Sequence, residues 1–587
     1  MNNNAATTKR GNAGLADFIP MSVAEMHALG WDAVDVLLIT GDAYVDHPAF
    51  GAALLGRLLL DAGFRVGIIA QPRWNTPADV MRLGRPRLFA GVTAGALDSM
   101  LAHYTAFRKR RHDDAYTPGN RHGARPNRAT IVYTGLVRQA FPGLPVIIGG
   151  VEASLRRASH YDFWSDKLRR SILLDSKADV LVYGMGEHAI EAVAQRLQNN
   201  PHAKPSEVLY GIPGTAFAVS SLEPLREQDM LPDAEACIAL PSHEDILTSP
   251  KTLMTATLQM ERQVHQGTQW ATQAAGTRTV VFTPPAAPLS EAALDALYRL
   301  PFTRRPHPSY QASIPAADMI QFSMTAHRGC AAGCAFCAIS LHQGRRIQSR
   351  SEASLLEEAR TLTRHLDWKG SITDVGGPTA NMWGASCKAD PRECRRVDCL
   401  FPKRCPHLVV DEKRAVRLLK RIAALEGVKH LRVASGIRYD LTDKARHYLR
   451  EVIQHYAGGQ LKVAPEHISN NVLRLMRKPS REQFESFLEL FETTSCHAGK
   501  EQYTLPYLIS AFPGCTDDDM HALARWLQQR GWRPRQVQCF IPTPGTVAAA
   551  MFYTGLDEQG NPIPVARTDR ERLRQHRILM PEKDARR

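Results

Sequence analysis

Residues 324–343 read MTAHRGCAAGCAFCAISLHQ and place three cysteines, Cys330, Cys334 and Cys337, at the spacing C-x3-C-x2-C. The apolar residues before them predict a strand over 319–327, so the cysteines lie in the loop at its carboxyl end. Three thiolates so close together can bind one inorganic cluster, and a four-iron cluster would keep one iron without a protein ligand. The alternative is a structural zinc site in which a histidine, for example His342, supplies the fourth ligand.

Strand patterns alternate with helix patterns from this point onward. The predicted strands are 319–327, 371–377, 430–435, 460–465, 503–510 and 536–542. Six such units are fewer than the eight of a closed barrel, so we expect a partial (β/α)6 barrel over 316–557. Its functional groups belong at the carboxyl ends of the strands.

An earlier series of short apolar runs predicts a second α/β domain. Runs at 35–41, 65–70, 87–92, 145–150 and 179–184 each end at a glycine or another small residue, with amphipathic stretches between them. Continuous Val/Ile/Leu runs of this kind indicate buried parallel strands, so we expect a doubly wound parallel sheet over 31–205. We interpret 1–30 as a polar tail, 206–315 as a connector between the domains and 558–587 as a basic tail.

The cysteine motif, with Phe336 before its last cysteine, resembles the signature of the radical S-adenosylmethionine (SAM) superfamily. Two later strand ends resemble segments of that superfamily that contact the cofactor. These positions are Gly376, Gly377, Pro378, Ser435 and Arg438. In the resemblance, the glycine-rich segment contacts the methionine moiety of SAM, and an arginine suits its carboxylate.

The order of the motifs over nearly the whole chain resembles the YgiQ-type radical SAM family. The resemblance implies a [4Fe–4S] cluster at which SAM is cleaved reductively to a 5′-deoxyadenosyl radical, which then modifies an unknown substrate. It also implies a reducing partner such as flavodoxin or ferredoxin. The segments 511–516 and 540–546 resemble the methylthiotransferase branch, which leaves open an enzyme that modifies RNA.

A second cysteine group lies in a proline-containing insert over 385–407. Its members are Cys387, Cys394, Cys399 and Cys405. Four thiols within nineteen residues suffice for a closed metal site, but their spacing is not that of a zinc ribbon. An auxiliary iron–sulfur cluster, a structural zinc and unligated thiols therefore all stay open.

The first predicted domain resembles the cobalamin-binding-like domains that precede many radical SAM barrels. Its ligand signature, D-x-H-x-x-G, is out of register at His47, which has Val45 two residues before it and Phe50 three residues after it. Cobalamin is therefore doubtful here, and we interpret the domain as a platform for a substrate or a partner. Further strand-end candidates are Glu187, Glu466 and His467.

The composition adds a formal net charge of +14, with arginine-rich runs at 108–111, 345–350 and 392–404. This balance suits a polyanion such as RNA, and it also fits a non-catalytic protein that binds zinc and nucleic acid. No apolar run is long enough to cross a membrane, and the N-terminal residues contain no apolar signal segment. We expect a cytoplasmic protein whose thiols stay reduced.

Overall fold

The computed structural model describes residues 17–233, 236–390, 393–441 and 446–580. The described helices of the first half are α1 Val23–Ala28, α2 Gly51–Asp61, α3 Ser99–His103, α4 Ala129–Ala140, α5 Gly150–Leu155, α6 Ile172–Ser176, α7 Glu187–Asn199, α8 Pro205–Val208, α9 Glu223–Glu227, α10 His243–Thr248, α11 Thr252–Gln266, α12 Glu291–Arg299 and α13 Pro315–Ile320. Those of the second half are α14 Ala338–Gln343, α15 Glu352–Thr363, α16 Glu412–Ala423, α17 His447–Glu451, α18 Asn470–Met476, α19 Arg481–His497, α20 Asp517–Gln529, α21 Val547–Thr554 and α22 Asp569–Leu579. None of the described helices is long and apolar enough to span a bilayer.

The strands of the first half are β1 Val36–Thr40, β2 Val66–Ala70, β3 Phe89–Thr93, β4 Val146–Gly149, β5 His160–Asp162, β6 Lys167–Arg169, β7 Val180–Val182, β8 Thr215–Val219, β9 Cys237–Ala239, β10 Trp270–Ala275 and β11 Arg278–Phe282. Those of the second half are β12 Ser323–Thr325, β13 His327–Arg328, β14 Gln348–Ser349, β15 Ser371–Ile372, β16 Asp374–Gly376, β17 Ser386–Cys387, β18 Leu408–Val409, β19 His430–Leu431, β20 Gln460–Glu466, β21 Tyr503–Ser510 and β22 Gln538–Cys539.

The first domain is built on a nine-stranded sheet in the order β2-β1-β3-β4-β7-β8-β11-β10-β9. The first five of these strands are parallel to their neighbours, as the buried apolar runs predict. The strand order reverses at β1, so the carboxyl ends of β1 and β3 form the crevice in which such sheets bind ligands. The predicted doubly wound α/β domain is confirmed.

The segment 206–315 is not a connector, which corrects the domain boundaries. It supplies β8, β9, β10 and β11, which extend the same sheet. The pairs β7–β8, β8–β11 and β11–β10 are antiparallel, whereas β9 pairs with β10 in parallel at the edge. Ala216 and Phe217 of β8 and 280–282 of β11 are buried in that sheet. Their short alternating runs are typical of a half-covered sheet edge rather than of a linker, and this signal was misread.

The second domain is an open barrel made of short parallel pairs. β12 pairs with β16, β15 pairs with β19, and β20, β21 and β22 form a three-stranded sheet. The strand predicted over 319–327 is wrong in its first part, because α13 continues to Ile320 and Pro315 lies in its first turn. The partial barrel is confirmed, with shorter strands than the sequence patterns indicate.

Neither terminal segment is a simple tail over its described part. Phe18 and Ile19 are buried against the first sheet, so the polar tail ends before them. At the other end, α22 packs on the barrel through the side chain of Arg572, which is 0 % exposed and donates to the carbonyl oxygens of Ala106 and Phe540. One basic residue of this helix is therefore buried and anchors it, which composition alone does not reveal.

Candidate functional site

The cysteines of the C-x3-C-x2-C motif lie in one tight loop between β13 and α14. Gly329 opens the loop with φ +82°, and a Cβ there would lie 2.2 Å from the carbonyl oxygen of Arg346. Cys337 caps α14, and its amide donates to the carbonyl oxygen of Cys334 over 3.1 Å. Burial raises the pKa of the Cys337 thiol to about 12, and the charges of Cys334 and Cys330 add to the rise. The three cysteines therefore lie within eight consecutive residues of one loop between β13 and α14.

Arg438 lies against this loop. Its Nη1 donates to Sγ of Cys334 over 3.4 Å, and its Nε and Nη2 bind the carboxylate of Asp440 over 2.9 and 2.6 Å. Burial raises the pKa of the Cys330 thiol to about 11, whereas the positive charge of Arg438 opposes that rise. The arginine thus favours the thiolate forms that a metal cluster requires.

The predicted glycine-rich segment and Ser435 are brought together. A Cβ on Gly376 would lie 2.4 Å from Oγ and 2.9 Å from Cβ of Ser435, so the backbone of Gly376 can lie this close to the Ser435 side chain only because it has no Cβ. The hydroxyl of Ser435 donates to Oδ2 of Asp374, and its amide donates to Oδ1 of the same carboxylate over 3.1 Å. Gly376, Pro378 and Ser435 all line one cavity of about 510 Å³.

His327 is a residue of this cavity that the sequence analysis missed. A Cβ on Gly377 would lie 2.5 Å from the carbonyl oxygen of His327 and 2.8 Å from its Nε2. The ring is 0 % exposed, and neither of its nitrogens has a hydrogen-bond partner among the described residues. Burial lowers the pKa of this histidine to about 3. The sequence signal that could have identified His327 as a site residue is its position directly before the cysteine motif.

The opposite wall of the cavity comes from the strand ends of the first domain. Thr40, Thr93 and Gly150 line it together with Asp42. The Asp42 carboxylate accepts the amide of Ala96 over 2.6 Å and is 3.0 Å from Nη1 of the buried Arg125. Burial raises the pKa of Asp42 to about 6, against the opposing charge of Arg125. The crevice between β1 and β3 therefore faces the glycine-rich segment of the barrel.

Two polar contacts fix the cysteine loop to the first domain. Glu187 forms a buried ion pair with Arg328, two residues before the first cysteine of the motif. On the other side of the loop, Nδ1 of His342 lies 3.1 Å from Oγ of Ser154. Both candidates from the sequence analysis, Glu187 and His342, thus hold the interface between the domains.

The other strand-end candidates have structural partners. Glu466 has φ +68° at an irregularity of β20 and lies 3.7 Å from Nζ of Lys478. His467 accepts the amide of Ser469 over 3.0 Å, and its Nε2 is 3.7 Å from Sγ of Cys515. These contacts hold the end of the strand in place.

His47 does not fit as a ligand of cobalamin. Its Nδ1 accepts the amide of Ala49 over 3.1 Å, and its Nε2 lies 3.2 Å from Nη1 of Arg304. The imidazole is buried, and this burial together with the charge of Arg304 holds its pKa well below the usual value. Both nitrogens are engaged within the protein, in agreement with the faulty signature.

The cysteine-rich insert packs directly on the back of the cluster loop. The amide of Cys399 donates to the carbonyl oxygen of Ala331 over 3.1 Å, and the amide of Cys405 donates to that of Cys399 over 2.7 Å. Burial raises the pKa of Cys399 to about 11, with smaller effects from Cys405 and Cys394. Cys387 is exposed on β17. The backbones of Cys399 and Cys405 are therefore in direct contact.

Within residues 17–233, 236–390, 393–441 and 446–580, no three side chains of His, Cys, Asp or Glu form a group that could hold a single metal ion. The finding covers both cysteine groups, including the proposed zinc sites.

Comparisons with known proteins agree with this arrangement. Residues 18–323 match the model of the radical SAM N-terminal domain, and residues 324–527 match that of the radical SAM superfamily. A UPF0313 protein of Geobacter sulfurreducens is 49% identical over 96% of this chain and 92% of its own length. The chain belongs to the UPF0313 family of radical SAM proteins. YgiQ of Salmonella typhimurium, another UPF0313 protein, is 43% identical over 97% of this chain and 86% of its own.

The fold of this UPF0313 protein is similar to that of a radical SAM methyltransferase, TsrM from Kitasatospora setae. The two share 15% sequence identity with a TM-score of 0.50, over 90% of this chain and 85% of the other. The UPF0313 chain is thus a radical SAM enzyme, and its family implies a [4Fe–4S] cluster and SAM as cofactors.

Proposed function

We propose that Cys330, Cys334 and Cys337 hold the [4Fe–4S] cluster of this enzyme. The support is that the three thiols belong to one tight, half-buried loop and that Arg438 contacts one of them. Three thiolates would leave one iron for a small-molecule ligand. With cluster and SAM bound, reductive cleavage of the sulfonium supplies a 5′-deoxyadenosyl radical.

We infer further that the glycine-rich segment receives SAM. The positions involved are Gly376, Gly377, Pro378 and Ser435, which line the cavity, whereas Arg438 does not line it and instead contacts Sγ of Cys334. The observation that carries this assignment is the contact of Gly376 with Ser435 and of Gly377 with His327, distances at which a side chain would not fit. The backbone can therefore approach a ligand closely, and the unpartnered nitrogens of His327 supply hydrogen-bonding groups beside it.

The substrate belongs in the part of the cavity that the first domain closes. Asp42 and Thr93 lie there, at the crevice where doubly wound sheets bind ligands. The ion pair of Glu187 with Arg328 closes the interface beside the cysteine loop, which keeps water from the reacting atoms. The first domain thus acts as the substrate platform.

RNA is one substrate class that the net charge of +14 supports. Two arginines of the basic run 345–350 are nevertheless internal, since Arg345 and Arg350 are buried and lie beside Glu261 and Glu358. A steep salt dependence of RNA binding to the intact enzyme would support RNA, and a flat one would contradict it.

The free thiols of the cluster loop require a reducing compartment, and we place the enzyme in the cytoplasm on that ground.

The experiment is an iron and sulfide count on anaerobically reconstituted protein. We expect that Cys334→Ala loses the catalytic cluster and its electron paramagnetic resonance signal, whereas Cys496→Ala, an exposed thiol in α19, keeps both. A full cluster in the Cys334 variant would contradict the assignment.

The same count tests the insert thiols. A variant with Cys387, Cys394, Cys399 and Cys405 all changed to alanine loses about four further irons if they hold an auxiliary cluster. An unchanged iron and zinc content assigns them to packing instead.

A further inference from the structure

A cleft with a basic rim lies behind the cysteine loop. Its exposed cations are Lys403, Arg404 and Arg474, whereas Arg438, Arg477 and Lys478 are paired with carboxylates. The cleft encloses about 490 Å³. Its charged lining residues are Lys403, Arg404, Arg438, Arg474, Arg477, Lys478 and one acid, Asp440. It has no lining residue in common with the cavity of the glycine-rich segment. The site proposed above therefore does not account for this cleft.

The floor of the cleft contains two arginines, Arg438 and Arg477, that contact the cysteine loop. Arg438 lines the cleft and donates to Sγ of Cys334 over 3.4 Å. Arg477, also on the floor, donates to the carbonyl oxygen of Gly333 over 3.0 Å. One guanidinium group thus separates the cleft from a proposed cluster ligand, on the side of the thiolate.

The rim of the cleft is cationic and exposed. Lys403 and Arg404 project from the cysteine-rich insert, and Arg474 projects from α18 on the other side. The insert loop is wrapped around Arg396, which donates to the carbonyl oxygens of Asp398 and Lys403 over 3.0 and 2.5 Å. A loop fixed in this way presents its charges in a defined place.

We propose that this cleft is the docking site of an acidic one-electron carrier protein that reduces the cluster. The proposal rests on the proposed function, because a cluster at Cys330, Cys334 and Cys337 needs an external electron. In the docked complex the carrier loses one electron and the cluster gains it, and no bond forms or breaks. Electron transfer slows steeply with distance, so the carrier must bind close to the cluster, and the cleft provides such an approach.

Charge and position favour a carrier over a substrate at this surface. The exposed cations complement an acidic protein, which raises the rate of association. A substrate must instead reach the SAM cavity, on the other face of the loop. RNA at the cleft is the competing occupant, and the test includes it.

The test is stopped-flow reduction of the reconstituted enzyme by reduced flavodoxin, with photoreduced deazaflavin as a small reference donor. We expect the triple variant Lys403→Glu, Arg404→Glu, Arg474→Glu to lower the flavodoxin rate, relative to the deazaflavin rate, at least about tenfold at low salt and to flatten its salt dependence. Binding of flavodoxin to the immobilised enzyme should weaken to a similar degree. The matched control, with Arg226, Lys251 and Arg533 changed to glutamate on remote exposed surfaces, should behave like the wild type.

Three results would overturn the docking site. The first is a flavodoxin rate, relative to the deazaflavin rate, that stays within about twofold of wild type in the triple variant. The second is a triple variant that loses RNA binding but keeps its flavodoxin rate. The third is a wild-type enzyme that deazaflavin reduces and flavodoxin does not. The single variant Arg474→Glu repeats the measurement if the triple variant loads less iron. Failure of deazaflavin to reduce any reconstituted wild-type protein would instead contradict the proposed function.

Discussion

At the scale of single residues, the site depends on places where a side chain is excluded. Gly377 is pressed against the backbone and ring of His327, and Gly376 is pressed against Ser435. The first neighbour is backbone and a buried ring, neither of which can swing away. The shape of the cofactor wall is therefore set by the lack of a Cβ at these two positions.

Replacing Gly377 with alanine tests this wall. The added Cβ would lie 2.5 Å from the carbonyl oxygen of His327, so the segment must shift, at a cost of about 1–3 kcal/mol. We expect binding of SAM, measured by equilibrium dialysis on reconstituted protein, to weaken at least about tenfold. The matched control is Gly436→Ala, where nothing lies within 4 Å of an added Cβ. Equal affinities in the two variants would show that this wall does not bind SAM.

The motif residues were predictable, whereas their neighbours were not. The spacing of Cys330, Cys334 and Cys337 predicts a cluster site, because three thiolates must reach one small object, and the structure places the three residues in one loop between β13 and α14. Their role as cluster ligands stays a prediction. Asp374 and His327 act through contacts that depend on how distant strands pack. A single histidine or aspartate at a strand end is common, so no pattern in the sequence singles them out.

At the scale of elements, one carboxylate joins the cysteine-rich insert to the cluster loop. Asp398 accepts the amides of Gly333 and Leu400, each over 2.6 Å, and that of Phe401 over 2.9 Å. Its side chain is buried, so each amide would otherwise be left without a partner. The insert therefore acts as a brace for the loop that carries the cysteines.

The change Asp398→Ala should loosen this brace. Buried amides left unpaired cost about 1–3 kcal/mol, which predicts release of iron to a chelator at least about tenfold faster than from wild type. Asp518→Ala, an exposed residue in the first turn of α20, is the control and should release iron at the wild-type rate. An unchanged rate in the Asp398 variant would mean that the insert does not support the loop.

Elements were predicted best where the apolar pattern was long. β21 occupies 503–510 as predicted, and β20 is close to its predicted range. The strand predicted over 430–435 is reduced to His430–Leu431, because the next residues bend toward the glycine-rich segment and their amides bind Asp374. Tertiary hydrogen bonds of this kind override the local pattern.

At the scale of the whole molecule, the two domains form one site, and their interface contains buried charge. The cavity has walls from both the crevice of the first sheet and the strand ends of the barrel. The hypothesis that 206–315 is a connector was wrong. Antiparallel strands added to a parallel sheet need no crossover helix, so no alternation of strand and helix marks them in the sequence. The sequence predicted two domains but not how much chain each contains.

The stability of the whole molecule should fall on acidification. Burial holds several histidines neutral, with pKa values lowered to about 3 or 4. These are His160, His265, His327, His342 and His467. In the unfolded chain histidine takes up a proton below about pH 6.5, so between that pH and about 4 the unfolded state binds more protons and stability is lost as pH falls. Calorimetry should give a lower melting temperature at pH 5 than at pH 7.

Two histidine variants test whether the buried histidines cause this dependence of stability on pH. Each such histidine contributes up to about 1.4 kcal/mol per pH unit, so His160→Gln should flatten the pH dependence of the free energy of unfolding, whereas His497→Gln, on the exposed end of α19, should not. Equal slopes in both variants, or a higher melting temperature at pH 5, would contradict this account.

The most direct measurement is the yield of 5′-deoxyadenosine from SAM. The protein is purified and reconstituted without oxygen, reduced, and its products are separated by chromatography. The account predicts 5′-deoxyadenosine together with methionine from the wild type, and none from Cys334→Ala. Wild-type protein that carries four irons and sulfides, accepts an electron and still leaves SAM intact would contradict it.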